Sequence, residues 1–202
     1  QDAAQEAVAQ ARLGTALAGL AQWDAALVAL RRAAELDSAT GAGKAFAQDI
    51  ALMCLVYNDH GIPETGIEHI QAYIARLPDQ VPPGALAAVY TALSYLYVAS
   101  GRYSELLPTA ERAVELASTA GEPRLLAEAK GRHGVALAVL GRFDEAIPKL
   151  QEVVRLAEAA DGLETRVLAL NNIAHCRLLI GPLAPARESF DLACELAPRL
   201  HS

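Results

Sequence analysis

The strongest constraint on this chain is that it repeats itself at a fixed step of forty residues. Gly141-Arg142-Phe143-Asp144-Glu145-Ala146 is echoed by Gly101-Arg102-Tyr103-Ser104-Glu105-Leu106. The same step leads back to Gly61-Ile62-Pro63-Glu64-Thr65-Gly66 and Ala21-Gln22-Trp23-Asp24-Ala25-Ala26, and forward to Gly181-Pro182-Leu183-Ala184-Pro185-Ala186. Ala21, Gly61, Gly101, Gly141 and Gly181 therefore serve as anchors with one spacing and no insertion. A period of this length marks stacked supersecondary units, each too small to bury its own apolar face. Two residues after each anchor stands a bulky or ring residue (Trp23, Pro63, Tyr103, Phe143, Leu183), and seven before it a small one (Gly14, Cys54, Ser94, Gly134, Ala174). Five after it the residue is again mostly small (Ala26, Gly66, Ala146, Ala186), so two small positions face each other and two antiparallel helices can touch backbone to backbone.

Composition fits helices and little else. The 202 residues include 43 Ala and 30 Leu, two strong helix formers, whereas aromatic residues make up only 5%. Apolar periodicity predicts A helices over about 6–20, 45–60, 84–100, 123–140 and 163–180, and B helices over about 23–37, 63–77, 103–119, 143–160 and 183–199. The turn between them falls at the anchor, where glycine suits a residue of positive φ ending a helix. Ser38 to Gly43, Asp79 to Gly84, Ser118 to Pro123 and Ala159 to Gly162 separate the units and are rich in helix breakers. Pro63, Pro108, Pro148 and Pro185 are expected in the first turns of B helices, where a missing amide costs little.

Gly134, Leu137, Gly141, Phe143, Ala146, Leu150 and Val153 together resemble the tetratricopeptide (TPR) signature, and Leu13-Gly14, Leu17, Trp23, Ala26, Leu30 and Ala33 fill the same slots in the first unit. The resemblance covers about residues 7–198. It departs from the family in its forty-residue period, in Leu106 and Gly66 where Ala is usual, in Tyr73 at another small slot, and in His133 and Arg177 where large apolar residues are expected. It implies an all-α, right-handed α-α superhelix of five helix-turn-helix repeats (about 7–44, 45–83, 84–122, 123–162 and 163–199) forming a single array over 1–202. Repeats of this length are similar to those in sensor or scaffold regions of large bacterial regulators.

By that resemblance the A helices line a concave face. Residues thirteen, nine, six and two before each anchor share one stripe, their separations being helix-face spacings. The stripe reads Val8, Arg12, Thr15, Gly19; Gln48, Leu52, Leu55, Asp59; Ala88, Ala92, Tyr95, Ala99; Glu128, Arg132, Val135, Val139; and Leu168, Asn172, His175, Leu179, with Asn58, Thr91 and Asn171 beside it. The candidate partner-binding residues are Arg12, Gln48, Asn58, Asp59, Tyr95, Glu128, Arg132, Asn171, Asn172 and His175. A peptide or other extended ligand suits a groove with polar patches around a small-residue middle. The plainer reading of Glu128 and Arg132, four apart on one helix, is a solvated ion pair. Chaperone-tail binding in the family uses Lys and Asn along this stripe, which here carries no Lys.

Other chemistry has little foothold. A net charge of −7 and only three Lys, with no basic run, argue against nucleic acid or an anionic membrane as partner of this segment. The uncharged run Gln80 to Gly101 is long enough to span a bilayer but carries Pro82-Pro83 and polar-tipped residues. Cys54, Cys176 and Cys194 are odd in number and read as small core residues in a reducing cytoplasm. His175 and Cys176 are neighbours pointing about 100° apart on a helix, so they cannot form a nucleophilic dyad. His69, His133 and His175 have no paired spacing, so no metal is expected, and His133 reads as a hydrogen-bonded, partly buried side chain. No phosphate-binding, dinucleotide or hydrolase motif occurs, so neither cofactor nor enzymatic activity is expected.

The only methionine is Met53, which suggests a segment of a longer or processed chain. No polar cap follows Glu195-Leu196-Ala197-Pro198, so the last repeat is expected to expose an apolar face that either further repeats or end-to-end self-association would cover. The reading that follows is a non-enzymatic scaffold binding a protein or peptide on its concave helix-A face. The alternative is the effector-sensing domain of a bacterial transcriptional regulator or signalling ATPase.

Overall fold

A computed structural model describes residues 2–77, 81–181 and 183–201. Pro182, and Pro78, Asp79 and Gln80 of the second inter-unit loop, lie outside the described residues. Ten α-helices follow one another: α1 (Asp2–Gly19), α2 (Trp23–Thr40), α3 (Gly43–Asp59), α4 (Pro63–Ile74), α5 (Pro83–Ala99), α6 (Tyr103–Ala120), α7 (Pro123–Val139), α8 (Phe143–Ala159), α9 (Leu163–Ile180) and α10 (Leu183–Leu196), with a 3-10 turn over Ala197–His201. Odd-numbered helices are the A helices and even-numbered ones the B helices.

The turns show that the forty-residue repeat is two twenty-residue halves. Positive φ recurs at Ala21 (55°), Gly41 (73°), Gly61 (77°), Gly101 (70°), Gly121 (68°), Gly141 (75°) and Asp161 (53°). After six of these seven, the next amide reaches back over the turn to a helix carbonyl, as in Arg102 N–H to Tyr97 O and Arg142 N–H to Leu137 O, both 2.9 Å. This bond satisfies a carbonyl that the helix end would otherwise orphan. The fifth anchor departs from the expected reason for its glycine. Gly181 has φ −169°, extended backbone open to any residue.

The chain divides into two compact units, residues 1–109 and 110–202, with the boundary inside α6. In the first, α1 packs on α2, α2 on α3, α3 on α4 and α5, and α4 on α5. Phe46, Ile50, Met53, Tyr57, Ile67 and Ile70 are fully buried there. In the second, α7 packs on α8 and α9, α8 on α9, and α9 on α10, around Leu137, Leu150 and Val153 and a smaller cluster of Leu170, Ala193 and Leu196.

Paired small residues do set the helix spacing. A Cβ added to Gly14 would sit 2.6 Å from Leu30 Cγ and 3.2 Å from the Ala26 carbonyl oxygen, and one added to Gly134 would sit 2.6 Å from Leu150 Cδ2. At Gly14 the facing backbone as well as Leu30 would have to give, and at Gly134 the Leu150 side chain would have to move.

Some expectations need correction. Pro63 opens α4 and Pro185 stands in the first turn of α10, but Pro108 and Pro148 lie a turn deeper, inside α6 and α8. Both are exposed, so the Ser104 and Asp144 carbonyls they leave without a helical partner lie on exposed residues that water can reach. Cys54 and Cys176 are buried but Cys194 is exposed. Its equivalents Ala34, Ile74, Val114 and Val154 are buried or half-buried. The 3-10 turn folds back onto α9 and α10, so the last hairpin is partly covered, although Leu179 remains 72% exposed.

Candidate partner-binding surface

Within each unit the A helices touch side by side, α1 with α3, α3 with α5, and α7 with α9, so their stripes adjoin. In the first unit Arg12, Gln48 and Asp59 are exposed beside the apolar Val8 and Leu55. Asn58 is half-buried and donates from Nδ2 to Asp59 Oδ1 at 3.2 Å, which orients that carboxylate. Tyr95 is half-buried, while Ala92 and Thr91 are buried.

The second unit's stripe is less open. Glu128, half-buried, accepts from Arg124 Nε, one turn before it, at 3.2 Å. Arg132, Asn171 and Asn172 are half-buried and Val135 is buried. His175 is exposed but engaged: Nδ1 lies 2.9 Å from the Asn171 carbonyl, and its ring stands edge-on to Phe190 at 5.2 Å and 81°. The neighbouring Cys176 is buried, which pushes its thiol pKa up and away from nucleophilic chemistry. His133 is half-buried; burial, then Lys149, lowers its pKa and favours the neutral ring.

The geometry also contains polar groupings that the stripe does not include. Four residues before each anchor stand Leu17, Tyr57, Tyr97, Leu137 and Arg177, and three of these bond side chains of B helices. Tyr57, on α3, has its hydroxyl 2.6 Å from Arg31 Nη2 of α2 and 2.6 Å from His69 Nδ1 of α4. The hydroxyl accepts from the guanidinium and hydrogen-bonds His69 Nδ1, which also lies 3.3 Å from Arg31 Nη2. Tyr73 lies close by, edge-on to Phe46 at 6.0 Å, and burial raises its pKa while Arg31 opposes the rise. Tyr97 accepts from Gln71 Nε2 at 3.1 Å.

Arg177, on α9, donates from Nη1 to Ser189 Oγ at 2.9 Å and to the Pro185 carbonyl at 3.1 Å. It forms part of a cleft of about 460 Å³ between α8 and α10, bounded by Gln151, Val154 and Arg155, by Leu170, Ile173 and Arg177, and by Glu188, Ser189 and Leu192. The sequence signal for it was Arg177 itself, a cation in an apolar slot.

A second grouping is a pair of buried carboxyls. Asp37 at the end of α2 and Asp49 on α3 share a side-chain hydrogen bond, are 7% and 3% exposed, and Asp49 Oδ2 has no hydrogen-bond partner. Burial and the adjacent Asp37 push Asp49 up to about 8, and burial raises Asp37 as well, so the pair holds a proton at neutral pH. Among the described residues no group of three or more His, Cys, Asp or Glu is placed to hold a metal ion. Among them no helix is long and apolar enough to cross a membrane.

No protein-family model matches the chain, and no curated protein sequence matches it. Solved structures do. A Podospora anserina protein of nearly identical, kinesin-light-chain TPR-like repeats superposes with a TM-score of 0.73 at 16% identity, over 100% of this chain and 99% of its own. A thermophilic TPR protein of Thermus thermophilus gives 0.68 at 23% identity, over 95% and 92%. The chain has the TPR fold. MamA of strain MSR-1 is also similar, with a TM-score of 0.56 at 26% identity over 96% and 97%. The all-α helical-repeat class expected from the five anchors therefore holds. The forty-residue step is carried by helices of up to eighteen residues joined by short turns.

Proposed function

We propose that this TPR array is a non-enzymatic scaffold that binds a protein segment or peptide on its A-helix stripe, within the cytoplasm and without nucleic acid or membrane as partner. The observation that carries the proposal is the open stripe of the first unit, where Arg12, Gln48 and Asp59 present charge and hydrogen-bonding capacity beside exposed Val8 and Leu55. Such a mix of apolar contact and oriented polar groups suits an extended peptide, whose backbone needs partners and whose side chains need apolar surface. Tyr95 in the first unit, and Glu128, Arg132, Asn171, Asn172 and His175 in the second, supply further contacts in this reading. Net charge −7 and the scatter of the 17 Lys and Arg favour a partner with basic character over an anionic polymer.

The test is affinity capture with the parent chain and with Arg12→Glu, Asp59→Arg. Both side chains are exposed, so the variant keeps its helicity by far-UV circular dichroism. A partner retained by the parent and lost by the folded variant is expected; the same partners on both would refute the stripe.

A further inference from the structure

The α8–α9–α10 cleft lies away from the proposed peptide stripe. Arg177 follows His175 by two residues, about 200° around the α9 axis, so the two side chains serve different faces. The cleft exists because of what replaces the bridge seen at the same register in the first unit. There Tyr57 ties Arg31 of α2 to His69 of α4. Here the equivalent residues are Arg177, Gln151 and the much smaller Ser189. Arg177 is bonded to α10 alone, and the space next to α8 stays open.

We propose that this cleft is a binding site for a small amphiphilic carboxylate, an apolar body ending in a single carboxylate group. Charge is the first argument. The Arg177 guanidinium is half-buried and its two recorded acceptors, Ser189 Oγ and the Pro185 carbonyl, are both neutral. Arg155 lines the same space, and neither arginine has an ion-pair partner among the described residues, Glu188 at the rim included. A cation held partly out of water by neutral partners gains most from an anion, and a guanidinium fork matches a carboxylate. The wall is the second argument, because half-buried Val154 and Leu192, the latter 37% exposed, supply an apolar surface next to that charge, with the nearly buried Leu170 and Ile173 also lining it. Size is the third. A volume of about 460 Å³ lies in the range of small-ligand sites, and a cleft between two helices offers less area than a stable protein interface needs.

The test is calorimetric titration of the intact chain with sodium octanoate, 1-octanol and sodium acetate. Octanoate should bind saturably at about millimolar concentration. Octanol, which keeps the apolar body without the charge, and acetate, which keeps the charge without the body, should each bind at least tenfold more weakly. Arg177→Met should weaken octanoate by about tenfold or more at unchanged helicity. Arg155→Gln, at an exposed position, should weaken it measurably and decides the matter if Arg177→Met fails to fold. The Arg12→Glu, Asp59→Arg chain should bind octanoate as the parent does, so failure of the peptide stripe and failure of this site remain distinguishable. Equal affinity for octanoate and octanol, absence of saturable binding, or unchanged affinity in the folded arginine variants would overturn the proposal.

Discussion

The trios α2–α3–α4 and α8–α9–α10 are built on the same register, yet one is closed by polar side chains and the other is open. In the first, Tyr57 is fully buried and joins both flanking B helices through Arg31 and His69. In the second, Arg177 joins only α10. A second pair of columns differs in the opposite sense. Asp37 and Asp49 of the first trio correspond to Ala157 and Ala169 of the second, and all four are buried. The backbone repeat therefore tolerates very different chemistry at its helix contacts. The first trio gains a hydrogen-bonded bridge and carries the cost of two buried carboxyls, whereas the second has plain apolar contacts and an accessible cleft.

Breaking the bridge should give the largest effect. Tyr57→Ala removes a fully buried ring and leaves Arg31 and His69 without their shared partner, and should destabilise the protein by about 3–5 kcal/mol in urea denaturation. Arg177→Ala should cost roughly 1 kcal/mol or less, because the side chain is half-buried and water can enter the cleft. Similar losses in both variants would end the contrast.

Copying the second trio's alanines into the first should sharpen it. Asp49 titrates in the folded state at about 8 against an ordinary value of 3.8, so its stabilising contribution is complete below pH 3.8 and is lost as pH rises through 8. The parent's melting temperature should fall between pH 5 and pH 9 for this reason. Asp37→Ala, Asp49→Ala should flatten that slope and stabilise the chain at pH 9 by about 1–4 kcal/mol. A parent melting curve independent of pH over that interval would count against the shared proton.

Packing between α7 and α8 supplies a smaller test. Gly134→Ala should cost about 1–3 kcal/mol, because its new methyl would meet Leu150 at 2.6 Å. Gly131→Ala, on the same helix, has only Val153 at 3.8 Å and should gain roughly 0.5–1 kcal/mol from helix propensity. The smallest contrast is between the end turns. Ala21 holds φ 55°, so Ala21→Gly should stabilise by about 0.5–1 kcal/mol. Gly181, extended at φ −169°, should accept alanine without penalty, as thermal melts of the two variants would show.

Helix ends were legible because the chain marks them chemically: glycine at Gly61, Gly101 and Gly141 for positive φ, and proline at Pro63 for the first helical position. The exposed stripe was legible for Arg12, Gln48 and Asp59, since helix-face spacing alone places them. It was less so for His175, whose contact with Phe190 depends on how α10 lies against α9. Cys194 misled because burial at its column depends on how other elements pack against it, a nonlocal condition. Tyr57, Arg31 and His69 come from three helices and meet only after packing, so no local motif announces them. The Asp37–Asp49 pair was visible in principle as two acidic residues in columns otherwise filled by apolar ones, but periodicity on a single helix does not bring those columns together.

The most direct test of the peptide-binding stripe is site-specific photo-crosslinking. A benzophenone amino acid would replace Gln48, exposed on the A-helix stripe, or Val28, 67% exposed on α2. Cytosolic extract irradiated with each chain should yield a discrete adduct from position 48 that is lost on adding Arg12→Glu, Asp59→Arg, and none from position 28. Adducts of equal yield from both positions, or from position 28 alone, would contradict the account.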